Sequence, residues 1–129
     1  MDFNILIVDD SAVTRAVIKR TIKLSGIQVG DLLEAAHGKA ALDVLAAKPV
    51  HLVLADLNMP EMSGLEMAQA MRQSPATRDI PVVVISAEPN EQRLDGLKEV
   101  GIRAYLRKPF TPEGVRDVVC SVMNEVCHA

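Results

Sequence analysis

Three short runs in this chain, "FNILIV" at 3–8, "VHLVLA" at 50–55 and "PVVVIS" at 81–86, are apolar almost without interruption. A strand with one wet face alternates apolar and polar residues, whereas an unbroken apolar run of this length suits a strand covered on both faces. Two mixed runs, "DLLEA" at 31–35 and "RAYLR" at 103–107, complete a set of five. Between and after them lie stretches of helical period near 12–24, 39–47, 65–73, 91–100 and 113–126. Gly26 and Gly101 stand where helix C-terminal caps are expected. Thr111, Pro112 and Glu113 read as an N-cap, a first helical position and a first-turn acid. Strand and helix alternating five times predict an α/β fold, a parallel sheet with helices on both faces. The expected unit is a single domain over 1–129.

The core of such a fold is constrained by what the chain lacks. Of its 129 residues, 49% are hydrophobic, yet Phe3, Tyr105 and Phe110 are the only aromatics. Val, Leu, Ile, Ala and Met must therefore fill the interior, and Met67 and Met71, spaced i, i+4, read as a core stripe. A domain near this size buries about two-thirds of its unfolded surface and needs no metal or disulfide to hold it. The formal charge of −3 and the absence of a basic stripe argue against nucleic acid as a direct ligand. No basic leader precedes the first apolar run and no run approaches membrane-spanning length, so a cytoplasmic protein without membrane insertion is expected. Cys120 and Cys127 would lie about 10 Å apart on a continuous helix, too far for a disulfide, and are expected as reduced, structural thiols.

In a parallel sheet all C-terminal strand ends lie on one rim, where ligands bind. Here the rim receives Asp9 and Asp10 after the first strand, Asp56 after the third, Ser86 after the fourth and Lys108 after the fifth. Any one of these could simply cap a strand; their convergence is what points to a site. Three carboxylates brought within about 5 Å repel by roughly 3 kcal/mol per pair at an effective dielectric of about 20. One lysine offsets part of that, and a divalent cation offsets most of it. An all-oxygen donor set suits Mg²⁺. Zinc is disfavoured, because His37, His51 and His128 are dispersed and neither cysteine has ligand spacing. With a metal beside it, a carboxylate at a strand tip can act as nucleophile toward a phosphoryl group. Asp56 is the natural candidate, since Asp9 and Asp10 arrive as a pair from another strand. Ser86 and Lys108 would then hold phosphoryl oxygens.

The motifs "VDDS" at 8–11, "DLNMPEMSGLEM" at 56–67, "ISAEP" at 85–89 and "AYLRKPF" at 104–110 resemble those of the response-regulator receiver domains, and most of all the stand-alone chemotaxis regulators. The resemblance spans essentially the whole chain. It implies a flavodoxin-like, doubly wound five-stranded parallel sheet of order 2-1-3-4-5 with five helices. It further implies that Asp9 and Asp10 bind Mg²⁺ together with Asp56 and the Asn58 backbone carbonyl, Asp56 being the phosphoacceptor. Ser86 would be the switch hydroxyl, Lys108 the phosphate-sensing lysine and Tyr105 the aromatic that changes rotamer. Asn58 and Glu88 fall on the positions that tune phosphoryl lifetime. Arg93, Arg103, Tyr105 and Arg107 would contribute to the partner face, on an edge strand where Arg103, Tyr105 and Arg107 share one parity.

The function this implies is two-component signalling, expected in chemotaxis or motility. A sensor histidine kinase or phosphotransfer domain would be the donor and a downstream protein the reader, a flagellar motor switch among the candidates. The chemistry is self-catalysed phosphoryl transfer and autodephosphorylation rather than turnover of a separate substrate. A receiver taken from a larger DNA-binding or enzymatic regulator, or a phosphate-sink or adaptor receiver, fits the same residues. An aspartate-nucleophile phosphatase would place a second acid two residues after the nucleophile, where this chain has Asn58. A flavin carrier would need a hydroxyl- and glycine-rich phosphate loop where this chain has Asp9 and Asp10.

Overall fold

The computed structural model describes residues 3–27, 29–56, 64–86, 102–107 and 111–122. Five strands, β1 (Ile5–Val8), β2 (Leu32–Ala35), β3 (Leu52–Asp56), β4 (Val82–Ser86) and β5 (Ile102–Arg107), alternate with helices α1 (Ala12–Leu24), α2 (Gly38–Ala47) and α3 (Gly64–Arg72), and α4 (Pro112–Val122) follows the last. The strands form one parallel sheet in the order β2-β1-β3-β4-β5. The expected fold and strand order are both present. The helix expected near 91–100 lies outside the described residues.

Each central strand sends alternate side chains into two separate cores. Leu6, Val8, Val53, Ala55, Val82 and Val84 face Ala41 of α2 and Met67, Ala68 and Met71 of α3. Ile5, Ile7, Leu52, Leu54, Val83 and Ile85 face Ile18 and Ile22 of α1 and Val115 and Val119 of α4. The helical contributors recur at i, i+4, which places each pair on one face one turn apart. Burial on both sides explains the unbroken apolar runs: every residue of β1 is 0% exposed. Met67 and Met71 are buried in the first of these cores, as their spacing predicts.

The termini of the elements are chemically closed. Ser11 caps α1 by accepting from the Thr14 N–H at 3.3 Å, and Gly26 follows the helix with φ +84, a left-handed conformation that favours glycine. Thr111 accepts from the Gly114 N–H at 3.0 Å, the expected cap of α4. The His37 Nδ1 accepts from the Ala40 N–H at 3.1 Å and caps α2. Buried Thr77 donates to the Met71 carbonyl at 2.6 Å and so satisfies a carbonyl in the last turn of α3. At the rim where the strands begin, buried Asn4 accepts from the Asp31 N–H at 2.8 Å and donates to the Pro49 carbonyl at 3.0 Å. The Asn4 N–H itself donates to the His51 Nδ1 at 3.0 Å.

Two expectations need correction. Cys120 is disulfide-bonded rather than reduced. The separation of about 10 Å applies only where one continuous helix carries both cysteines; Cys127, the other cysteine in the sequence, lies outside the described residues. The second concerns β5. Its register with β4 shifts between Val82 and Val83, which pair with Ile102 and Ala104. Arg103 is the residue the shift inserts, so counting alternate positions does not carry from Arg103 to Tyr105 and Arg107.

Candidate functional site

The parallel register brings the acids level with one another. Val8 of β1 pairs with Ala55 of β3, so Asp9 stands beside Asp56, with Asp10 one residue further out. Carboxylate oxygens of Asp9, Asp10 and Asp56 lie within 4.8 Å of one another. The three differ in exposure: Asp9 is 2% exposed, Asp56 is intermediate and Asp10 is exposed. Asp9 is held by its surroundings. Its N–H donates to the Ala35 carbonyl of β2 at 3.1 Å, and its carboxylate accepts from the Ser11 N–H at 2.8 Å. Asp56 pairs with Ile85 of β4, which puts Ser86 one residue beyond it toward the rim.

Three oxygen donors of one sign at this spacing match what a small hard cation requires, and no nitrogen or sulfur ligand joins them among the described residues. The remaining positions of a six-coordinate ion would fall to water and to oxygens of a phosphoryl group. The residues present therefore fit Mg²⁺. Of the other expected site residues, Asn58, Glu88, Arg93 and Lys108 lie outside the described residues. Ser86 ends β4, and Tyr105 and Arg107 occupy edge strand β5 opposite Val84 and Ser86.

A basic and acidic network beside the acids was missed in the sequence. Arg15, in the first turns of α1, donates from Nη1 to the Asp9 carbonyl oxygen. Its Nε donates to Glu34 Oε1 of β2 at 3.1 Å, and Lys19 Nζ lies 3.3 Å from Glu34 Oε2. Burial raises the Glu34 carboxyl pKa, but hydrogen bonds and charge from Lys19 and Arg15 outweigh it and hold the group below its ordinary value. Glu34 is the lone charged residue of a four-residue strand, "LLEA", and that was the available signal. Another missed feature is the outer face of α1, where Val13, Val17 and Leu24 are exposed.

The family model for the response regulator receiver domain matches residues 5–119. The chain belongs to that family. A chemotaxis protein CheY homolog of Campylobacter jejuni is 34% identical over 121 residues, covering 93% of this chain and 92% of the relative. The two-component response regulator ORR5 of rice, Oryza sativa subsp. japonica, is 35% identical over 122 residues, covering 94% of this chain and 89% of that one. Among solved structures, the chemotaxis protein CheY4 of Vibrio cholerae superposes with a TM-score of 0.86 at 28% identity, over 95% of this chain and 100% of that one. The receiver family and the doubly wound fold expected from the motifs are thus both found. No helix among the described residues is long and apolar enough to cross a membrane.

Proposed function

We propose that this receiver domain accepts a phosphoryl group on Asp56 with Mg²⁺ held by Asp9, Asp10, Asp56 and the Asn58 carbonyl. The observation that carries the reading is the convergence of three carboxylates within 4.8 Å at the ends of two neighbouring strands. An acid cluster of this kind repels phosphate unless a cation intervenes, and with one it becomes a phosphoryl site. Mg²⁺, when bound, neutralises that repulsion and the charge on the transferring group. Asp56 is the nucleophile because it is partly accessible from the rim, while Asp9 is buried and occupied in holding the loop after β1.

In the transfer, a carboxylate oxygen of Asp56 forms a bond to phosphorus as the P–N bond of a donor phosphohistidine breaks. The leaving imidazole nitrogen keeps the bonding pair and is protonated. Ser86 and Lys108 supply a hydroxyl and an ammonium for the phosphoryl oxygens. Hydrolysis, tuned by Asn58 and Glu88, returns the carboxylate. The donor is a sensor histidine kinase or phosphotransfer domain, and the reader is a downstream protein. Chemotaxis is the favoured setting, in line with the CheY relatives, and a cytoplasmic location goes with it.

Phosphorylation would draw Ser86 toward Asp56 and let Tyr105 turn inward. Support comes from the register: Tyr105 opposes Val84, which lies one pleat repeat behind Ser86 on the same strand. The partner face, with Arg93, Tyr105 and Arg107, would then change for its reader. Incubation with Mg²⁺ and acetyl phosphate, followed by peptide mapping, tests the core of the reading. A single label on Asp56 is expected, absent without Mg²⁺; equal labelling of Asp56→Asn would refute it.

A further inference from the structure

We propose that Arg15 is a positioning residue for the acidic site, fixing the peptide that joins Asp9 to Asp10 and itself anchored by Glu34. The inference rests on the reading of Asp9, Asp10 and Asp56 as a Mg²⁺ site. The Asp9 carbonyl oxygen that accepts from Arg15 shares a rigid plane with the Asp10 nitrogen. Holding that oxygen therefore sets the direction in which the chain delivers Asp10. Asp10 needs such help more than its neighbours do. Asp9 is 2% exposed and its N–H and carboxylate are both bonded, whereas Asp10 is exposed at the edge of the site.

The guanidinium suits the task because its donors are fixed in one plane. One nitrogen reaches the Asp9 carbonyl and another reaches Glu34 Oε1 at 3.1 Å, so a single group ties α1, the end of β1 and edge strand β2. The Arg15 side chain is 16% exposed, against 33% for Lys19 and 37% for Glu34, which makes it the inner member of the network. Lys19 shares Glu34, donating to its Oε2 on the outer side at 3.3 Å.

Charge and position pull in opposite directions here, and that makes the proposal decidable. A cation beside a Mg²⁺ site weakens metal binding by repulsion, so deleting the guanidinium should tighten binding if charge alone mattered. If Arg15 positions Asp10, deleting it should loosen binding. Groups that orient metal ligands are commonly worth about 10- to 100-fold in affinity. The lower end applies, since Arg15 bonds a peptide carbonyl rather than a ligating carboxylate.

The experiment measures Mg²⁺ affinity of the unphosphorylated protein by calorimetry, with the Asp10 amide NMR shift as a second readout. Arg15→Ala should bind Mg²⁺ about tenfold more weakly and move the Asp10 amide in the metal-free state. Arg15→Lys should recover part of the affinity, because one donor survives but the fork does not. Glu34→Ala should fall between wild type and Arg15→Ala. Lys19→Ala, which breaks part of the same network without a bond to Asp9, should leave affinity unchanged. Unchanged or tighter binding in Arg15→Ala would overturn the proposal, as would equal losses in Lys19→Ala and Arg15→Ala. Should Arg15→Ala fail to fold, wild-type affinity in both Arg15→Lys and Glu34→Ala would overturn it instead. A wild-type protein that binds no Mg²⁺ would bring down the metal site itself and this inference with it.

Discussion

Replacing Asp10 with Asn should make the metal-free protein more stable, although it removes a carboxylate of the proposed metal site. Oxygens of the three carboxylates lie within 4.8 Å of one another. At that spacing one pair of charges repels by roughly 3.5 kcal/mol at an effective dielectric of about 20, and by roughly 0.9 kcal/mol in water. Asp10 is the exposed member, so the aqueous end of that range applies, and its carboxylate faces two others. Neutralising it should relieve about 2 kcal/mol. For a domain of this size about 4 °C accompanies each kcal/mol, so the melting temperature should rise by about 8 °C in EDTA. Adding Mg²⁺ should reverse the order. At a hundred times its Kd the ion stabilises wild type by about 2.7 kcal/mol, while the variant, short of one ligand, should gain far less. Calorimetric melts of both proteins, with EDTA and with saturating Mg²⁺, decide the matter. A variant that melts below wild type in EDTA, or gains as much from Mg²⁺, would show that the three acids do not form one mutually repelling site.

Two further outcomes are expected away from the metal. Ile7→Ala, in a strand that is 0% exposed, should destabilise the protein by about 2–5 kcal/mol in urea titrations, through lost burial and a cavity between the sheet and α1. Glu34 has a folded-state pKa below its ordinary 4.5, so its contribution is complete above about that pH and is lost as pH falls through the folded value. Glu34→Gln should therefore cost under about 1 kcal/mol at pH 7, given the exposure of the pair, and match wild type in strong acid; a difference that persists there would assign the effect to packing.

The strands and the acidic rim were legible because both follow from local pattern. Unbroken apolar runs mark strands buried on two faces, and a parallel sheet sends all their ends to one rim, which brings Asp9, Asp10 and Asp56 together from the sequence alone. What escaped depends on relations between elements. Asn4 belongs to the first apolar run, yet it precedes β1 and spends its polar groups on Asp31, Pro49 and His51, far along the chain. The place of Arg103 depends on how β5 registers against β4, and no pattern within "RAYLR" reveals an inserted residue. Arg15 carries no local signal, because its partners are a backbone carbonyl six residues back and an acid nineteen residues ahead.

The graded burial of the three acids explains how like residues can take unlike roles. A strand tip is where a core that admits no charge meets water, and each residue step outward raises exposure. Asp9, level with Asp56 but enclosed by β2 and by the turn into α1, is too constrained to move with a ligand. It serves best as the fixed wall of the site. Asp10, one residue further out, meets water and can exchange it for a hydrated ion, which suits a metal that retains part of its water shell. Asp56 lies between these limits: accessible enough for a donor to approach, yet carried by a strand whose preceding four residues are at most 1% exposed. If Asp56 is the nucleophile proposed above, a strand so packed would hold its position through the transfer. The three acids thus sit where a close-packed interior gives way to water, on a sheet whose central strands are too tightly packed to yield.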